Sequence, residues 1–182
     1  MKILATYTTW AVLIGAGLLA GCAPERVQSA DVSESVRKTL DQAGLADVTV
    51  KQDREKGVVT LGGQVSSEAA KAQAELLVKP IAAGQVLAVE IAVIPVGMET
   101  DAKAINSALD GGIEKNLDAA LIQHKLQKLV KYEVKNAVVT LTGEVESEAK
   151  RAAVERTAAR VPNVKQVVNT LQVKNQKATS TL

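Results

Sequence analysis

One twelve-residue stretch occurs twice in this chain, 80 positions apart. Residues 58–69 read VVTLGGQVSSEA and residues 138–149 read VVTLTGEVESEA, so nine of the twelve residues are identical. A match of this length at one fixed spacing indicates an internal duplication. In a chain of 182 residues, the duplication predicts two small domains with the same fold, each with a modest core.

The residues around each copy predict the order helix, hairpin, helix, strand. In copy one, a first helix is indicated by apolar residues spaced three or four apart: Val32, Val36, Leu40 and Ala43. Apolar runs at 48–50 and 58–61 flank a polar loop, as in a hairpin, and Ser66 or Ser67 is placed to cap a second helix. A Val- and Ile-rich strand follows at 86–96. Because a helix separates the last two strands, we expect them to be parallel, with a right-handed crossover.

The repeat also divides the chain into segments. We expect a first domain at residues 31–96, a second at 110–174 and a polar tail at 175–182. Residues 97–109 form a linker whose composition fits either a helix or a flexible segment. The first-helix positions of the two copies match best at an offset of 77, which predicts about three extra residues in copy two ahead of its strands.

The first 21 residues resemble a bacterial export signal. Lys2 is their only charged residue, and the segment ends in Leu19-Ala20-Gly21-Cys22, which resembles the lipobox of lipoprotein precursors. That resemblance implies cleavage before Cys22, covalent diacylglycerol and an acyl chain on this residue, and a tether at 22–30. Since about 18 apolar residues can just span a bilayer, an uncleaved membrane anchor is the alternative. Ala23, rather than Asp, follows the cysteine, which in lipoproteins implies the periplasmic face of the outer membrane.

Composition argues against several other classes of function. Aromatic residues make up 2% of the chain and Phe is absent, so stacking platforms for bases or sugars are not expected, and we predict no nucleic-acid partner. Cys22 is the only cysteine, which excludes an intramolecular disulfide and a cysteine-based metal site, and no other cofactor is predicted. The net charge is −2 over residues 23–98 and +3 over residues 99–182, so copy two is the basic one.

The repeated unit is similar to the BON domain family. The likeness rests on Val138-Val139-Thr140-Leu141-x-Gly143-x-Val145, on the Ala-rich helix that follows, and on the closing run at 164–171. Two such units behind a lipobox resemble the dual-BON outer-membrane lipoproteins of the DolP type. This resemblance implies an α+β fold of two tandem αββαβ domains, each with two helices packed on a three-stranded mixed sheet. It also implies a periplasmic, non-enzymatic protein associated with envelope integrity, stress and phospholipid surfaces.

The resemblance assigns motif positions and a division of labour. Gly63, Gly143 and Asn169 occupy structural motif positions, and the glycines are expected to allow tight turns. Copy one has Val89 where copy two has Asn169, so copy one is expected to be a structural or protein-contact unit. In DolP-type proteins the second domain recognises anionic lipid with help from an aromatic residue on its lipid-facing helix. Copy two has no Phe or Trp, which leaves electrostatic attraction.

Two basic clusters in copy two are candidates for phospholipid contact. The first lies on the second helix and consists of Lys150, Arg151, Arg156 and Arg160. A cation near an anionic surface contributes about 1 kcal/mol, but a solvated helix face neutralised by Glu148 and Glu155 is the alternative. The second cluster is Lys125, Lys128, Lys131 and Lys135, with the same alternative.

No residue pattern predicts catalysis or metal binding. His124, the single histidine, lacks nearby catalytic or metal-binding partners in the sequence and is predicted to be a half-buried packing residue on a helix. The Ser-Glu pairs at 67–68 and 147–148 are typical of helix capping. We therefore expect a lipid-anchored envelope protein that binds anionic phospholipid surfaces chiefly through domain 2. The alternative is an adaptor for envelope assembly proteins with no headgroup binding of its own.

Overall fold

The computed structural model describes residues 28–174. The predicted export signal, Cys22, most of the tether and the polar tail lie outside the described residues. Domain 1 consists of α1 (Ser33–Gln42), β1 (Val48–Asp53), β2 (Val58–Val65), α2 (Glu68–Val78), β3 (Val86–Val89) and β4 (Ala92–Val93). Domain 2 consists of α3 (Glu99–Gln123), β5 (Val130–Lys135), β6 (Val138–Val145), α4 (Glu148–Ala159), β7 (Gln166–Asn169) and β8 (Gln172–Val173).

Each domain has one mixed sheet, which confirms the predicted α+β class. In domain 1, β1 is antiparallel to β2, while β3 and β4 both run parallel to β2. Domain 2 repeats this arrangement with β5 to β8. The predicted third strand is therefore present but interrupted, and the break places Ile91 and its counterpart Leu171 in the two cores.

The helices of each domain cover one face of its sheet with aliphatic side chains. Val36 and Leu40 of α1 and Ala74 and Val78 of α2 are buried against Leu61 in domain 1. The domain 2 core is equivalent and contains Ile113, Leu117, Leu121, Leu141 and Val154, each at most 1% exposed. Strand alternation directs odd-numbered residues of β2 and β6 toward these cores. Even-numbered residues of the same strands lie on the outer face of each sheet.

The linker forms the first turns of a long helix. α3 has 25 residues and runs without interruption from Glu99 through the pair Gly111 and Gly112 to Gln123. Only its second half carries fully buried core residues. The linker, for which the sequence allowed either a helix or a flexible segment, is therefore helical from Glu99 onward.

The two copies differ in length at places other than those expected. Leu45 N–H donates to the Leu40 carbonyl, and Leu126 N–H donates to the Leu121 carbonyl in the same way, so the first helices match at an offset of 81. The predicted offset of 77 was wrong by about one helical turn, because the apolar period allows either alignment. The loop between β5 and β6 has two residues, Asn136 and Ala137, in place of four in domain 1. Both have positive φ (48° and 65°), as in a type I′ hairpin turn.

The outer faces of the two sheets meet at the domain boundary. A separate buried cluster joins Val58 and Ala88 of domain 1 to Val138 and Val168 of domain 2. These residues are two pairs related by the 80-residue spacing of the repeat. The contact is therefore close to symmetric at its apolar centre.

Candidate functional site

α4 begins with a serine cap and presents one narrow apolar stripe to the domain 2 core. Ser147 Oγ accepts a hydrogen bond from Lys150 N–H at 3.2 Å. Val154 and Ala158 are the buried residues of this helix. The remaining positions are free to carry charge.

Two of the four candidate cations on α4 are already paired. Lys150 Nζ lies 3.2 Å from a Glu146 carboxylate oxygen, and an Arg151 guanidinium nitrogen lies 3.6 Å from Glu148. Arg151 also donates to the Asn169 carbonyl at 3.5 Å. These two side chains flank the apolar stripe and are half-buried, and the neighbouring glutamates offset much of their charge.

Arg156 lies on the opposite side of α4, since at about 100° per residue it projects away from Val154 and Ala158. Arg160 is the C-cap residue that follows the helix, and both arginine side chains are exposed. Within residues 28–174 neither has an ion-pair or hydrogen-bond partner. Glu155, expected to neutralise this face, instead accepts a hydrogen bond from Asn169 Nδ2 at 2.9 Å. The four candidate residues therefore do not form one surface.

The C-terminal ends of α3 and α4 enclose an open groove of about 350 Å³. Ala119, Ala120 and Val161 line it, and Arg160 and His124 are among its polar residues. Lys125 directly follows His124. We call His124, Lys125, Arg156 and Arg160 the basic end of domain 2.

The prediction that His124 is a half-buried packing residue was wrong. α3 ends at Gln123, so His124 is the C-cap residue and its side chain is exposed. The helical spacing from Leu117 and Leu121 no longer applies beyond the helix end. Helix C-termini favour cationic side chains, which accounts for part of the basic character here.

The second basic cluster is dispersed by the fold. Lys135 Nζ lies 3.7 Å from Glu90 across the domain boundary. Lys131 belongs to β5, and Lys128 lies in the turn before this strand. Only Lys125 belongs to the basic end.

Tyr132 is held against α3 rather than presented to a membrane. Its hydroxyl donates to Asp118 Oδ1 at 2.6 Å. Burial, together with this hydrogen bond to an acidic side chain, raises the pKa of Tyr132 above its usual range.

A large apolar residue that the sequence reasoning missed is Ile122, which is 59% exposed near the end of α3. The sequence could have indicated this exposure, because Ile122 directly follows the buried Leu121 and so falls outside the apolar stripe of α3.

The motif glycines lie inside strands and not in turns. Gly63 and Gly143 have φ of +87° and +129°, and a Cβ at either position would overlap with the backbone carbonyl of Asp47 or Leu129. Glycine is thus required for the close approach of neighbouring backbone. Asn169 Oδ1 accepts from Leu171 N–H at 3.2 Å, so this side chain ties α4 to the break in the third strand.

The described part of the chain contains neither a membrane-spanning helix nor a metal-binding cluster. No helix within residues 28–174 is both long enough and apolar enough to cross a membrane. The same residues hold no group of three or more His, Cys, Asp or Glu side chains that could bind a metal ion.

The fold and the repeated glycine motif define a tandem α+β domain protein with a basic surface on its second domain. The sequence profile of the BON domain matches residues 28–95 and 109–175. The chain belongs to the BON domain family, a family of envelope and phospholipid-associated domains that is not an enzyme family. No curated protein matches this chain.

Solved structures that resemble the chain include two of CdsD, a structural protein of the type III secretion system of Chlamydia trachomatis, one of them its C-terminal domain. They are 14% and 16% identical to this chain, with a TM-score of 0.32 in both cases. The match covers 77% of this chain and 60% or 63% of the CdsD chains. A superposition this poor bears no argument about function.

Proposed function

We propose that this protein is a lipid-anchored envelope protein of the DolP type that binds anionic phospholipid surfaces through domain 2. Acyl chains on Cys22 hold it at the periplasmic face of the outer membrane. The observation that carries the proposal is the lack of any acidic partner for Arg156 and Arg160 within residues 28–174. Their neighbours Lys150 and Arg151 are paired with glutamates, so they add little to the attraction.

The expected affinity is modest and electrostatic. Each cation near an anionic surface contributes about 1 kcal/mol, so Lys125, Arg156 and Arg160 together contribute about 3 kcal/mol. This is weak for a free protein but sufficient for one already held at the membrane, where the effective concentration is high. Ile122 adds a small apolar contact, while no aromatic side chain of domain 2 is available for insertion.

The test is sedimentation of residues 28–182, which lack the lipid anchor, with anionic and with neutral liposomes at low and moderate salt. Pelleting with the anionic liposomes alone, weakening as salt increases, is expected. The double variant Arg156→Glu, Arg160→Glu should lose it. The matched control is Arg37→Glu, Lys38→Glu, which makes the same charge change on α1 of domain 1. Equal pelleting of both double variants contradicts the proposal.

An adaptor for envelope assembly proteins is the second candidate. It is favoured by apolar side chains exposed around the start of α3, namely Val96 (87%), Met98 (53%) and Ile105 (65%). Such side chains suit a protein partner better than a headgroup. Absence of pelleting in every condition, with saturable binding of an envelope protein at fixed stoichiometry, would favour this function.

A further inference from the structure

Two lysine side chains from different domains lie in the groove beside the domain boundary. Lys71 belongs to α2, and Lys165 directly precedes β7. Both line an open cavity of about 380 Å³ and a smaller one of about 90 Å³. Asn136, from the turn between β5 and β6, lines both cavities as well. The groove therefore exists only when the two domains are in contact.

Both ammonium groups have N–H donors that form no hydrogen bond within residues 28–174. Lys71 is half-buried, and Lys71 Nζ donates to the Ile91 carbonyl at 3.0 Å. An ammonium group has three N–H donors, so two remain available. Lys165 is exposed, and its side chain has no hydrogen-bond or ion-pair partner in the part of the chain that the structure describes.

The charges of these lysines are only partly offset. Burial lowers the pKa of Lys71, and the next cause in size is repulsion by Lys165. Glu75 lines the larger cavity and Glu68 the smaller one, and both raise this pKa, but each acts less strongly than Lys165. Within residues 28–174, neither carboxylate forms an ion pair with either lysine. The fold thus holds two cations beside the same groove.

We propose that Lys71 and Lys165 bind a small phosphate-bearing anion in the groove between the two domains. Ammonium groups bind phosphate oxygens as point charges, and a phosphate dianion would use the open donors and remove the repulsion between the lysines. A cavity of about 380 Å³ accommodates a phosphate group with a small substituent.

This site is independent of the basic end of domain 2, which lies where α3 and α4 end. It is also not a property of the repeat. The residues 80 positions from Lys71 and Lys165 are Arg151 and Gln85, and Arg151 is paired with Glu148. The inference therefore goes beyond the proposed contact with membranes, and it can be tested independently of that contact.

The test is thermal unfolding of the full chain in neutral detergent, with inorganic phosphate titrated against chloride at constant ionic strength. Binding to the folded state raises the midpoint saturably, by about 3–5 °C once phosphate exceeds its dissociation constant about tenfold. Lys165→Ala is expected to abolish this rise. Without phosphate it should unfold no earlier than wild type, because the repulsion on Lys71 is gone. Lys38→Ala, which removes the same charge from α1, should keep the rise.

No saturable rise in wild type, or an undiminished rise in Lys165→Ala, overturns the proposal. The variant Arg156→Glu, Arg160→Glu separates the two sites. If it loses the rise while Lys165→Ala keeps it, phosphate binds the basic end and the groove site is refuted. If it keeps the rise but no longer pellets with anionic vesicles, both sites stand.

A vesicle arm identifies the source of the phosphate. Suppose that the phosphate-induced rise in the unfolding midpoint depends on Lys165. Unchanged pelleting of Lys165→Ala with anionic vesicles then supports a soluble phosphate compound as the ligand. Reduced pelleting of Lys165→Ala supports the same site with a lipid headgroup as the ligand.

Discussion

Gln166 Nε2 donates a hydrogen bond to the backbone carbonyl of Leu87, 2.7 Å away across the domain boundary. The same side chain accepts from Val89 N–H at 3.0 Å. Gln166 thus pairs with β3 as a neighbouring strand would, and it covers part of an otherwise open sheet edge. Its counterpart in domain 1 is Val86, whose side chain has no hydrogen-bonding group, so the polar part of the contact is asymmetric.

Replacing Gln166 by the residue of the other copy tests this contact. Gln166→Val leaves the Leu87 carbonyl and the Val89 N–H without their partner, and we expect the free energy of unfolding to fall by about 1–2 kcal/mol. Urea denaturation measures this change, and amide exchange at Val89 should become faster. Gln172→Val, at an exposed position on β8, is the control and should change stability by less than about 0.5 kcal/mol. Unchanged exchange at Val89 would show that the hydrogen bond is absent in solution.

Gly143→Ala is expected to be strongly destabilising. The new methyl group meets the Leu129 carbonyl, and φ of +129° is unfavourable for any residue with a Cβ. A loss of more than about 2 kcal/mol is expected in a denaturant titration. Gly112→Ala provides the contrast, because a Cβ there meets no atom within 4 Å and the residue lies inside α3. This change should stabilise the protein by about 0.5–1 kcal/mol.

The residue after the C-cap of the first helix offers a reciprocal exchange. Gly44 (φ 75°) and Lys125 (φ 57°) occupy equivalent left-handed positions in the two domains. Lys125→Gly should raise the free energy of unfolding by about 0.5–1 kcal/mol, since glycine removes the cost of that conformation. Gly44→Lys should lower it by about 1 kcal/mol, because a Cβ at Gly44 has open space and only backbone strain remains. Changes of the same sign in both variants would contradict this explanation.

Glu90 should make the domain contact sensitive to pH. Its side chain is 14% exposed at the boundary, and burial raises its pKa above 4.5 despite the attraction of Lys135. Nearby Glu133 raises this pKa further, and Lys51 lowers it. Because the folded state binds the proton more tightly than the unfolded state, the contribution of Glu90 to stability declines as pH rises above 4.5 through its raised pKa.

The comparison with Glu90→Gln isolates this effect. The free energy of unfolding of wild type minus that of Glu90→Gln should decrease as pH rises from 4.5 toward neutrality. Denaturant titrations at several pH values measure the difference. Gln172→Val, an exposed change on β8 that removes no ionisable group, should show no such trend. A difference that increases with pH would mean that the ion pair with Lys135 outweighs the cost of burial.

Most of each domain could be predicted because its signals are local. The apolar spacing of Val36 and Leu40 and the serine caps at Ser67 and Ser147 act over one or two helical turns. The repeat supports each of these local predictions, because every signal occurs once in each copy. The predictions for His124 and for the offset between the copies failed for a shared reason. A helical period does not show where a helix ends or which turn of it is equivalent to another.

The sequence carries a signal for the domain contact. Val58 and Val59, like Val138 and Val139, are consecutive apolar residues in strands, and successive side chains point to opposite faces. A strand that is apolar on both faces is buried on both faces. The sequence could thus indicate a covered outer face, but it did not show that the two sheets cover each other.

The sequence by itself determined the duplicated α+β fold and the basic character of the second copy, because these depend on residue type and short-range spacing. Only the tertiary structure decided which cations are free. Among residues 28–174, Lys150 and Arg151 are paired, Arg156 and Arg160 are not, and Lys71 and Lys165 line one groove from different domains. Whether two charges meet depends on the packing of distant segments, since ion pairs and repulsion act through space over a few ångströms.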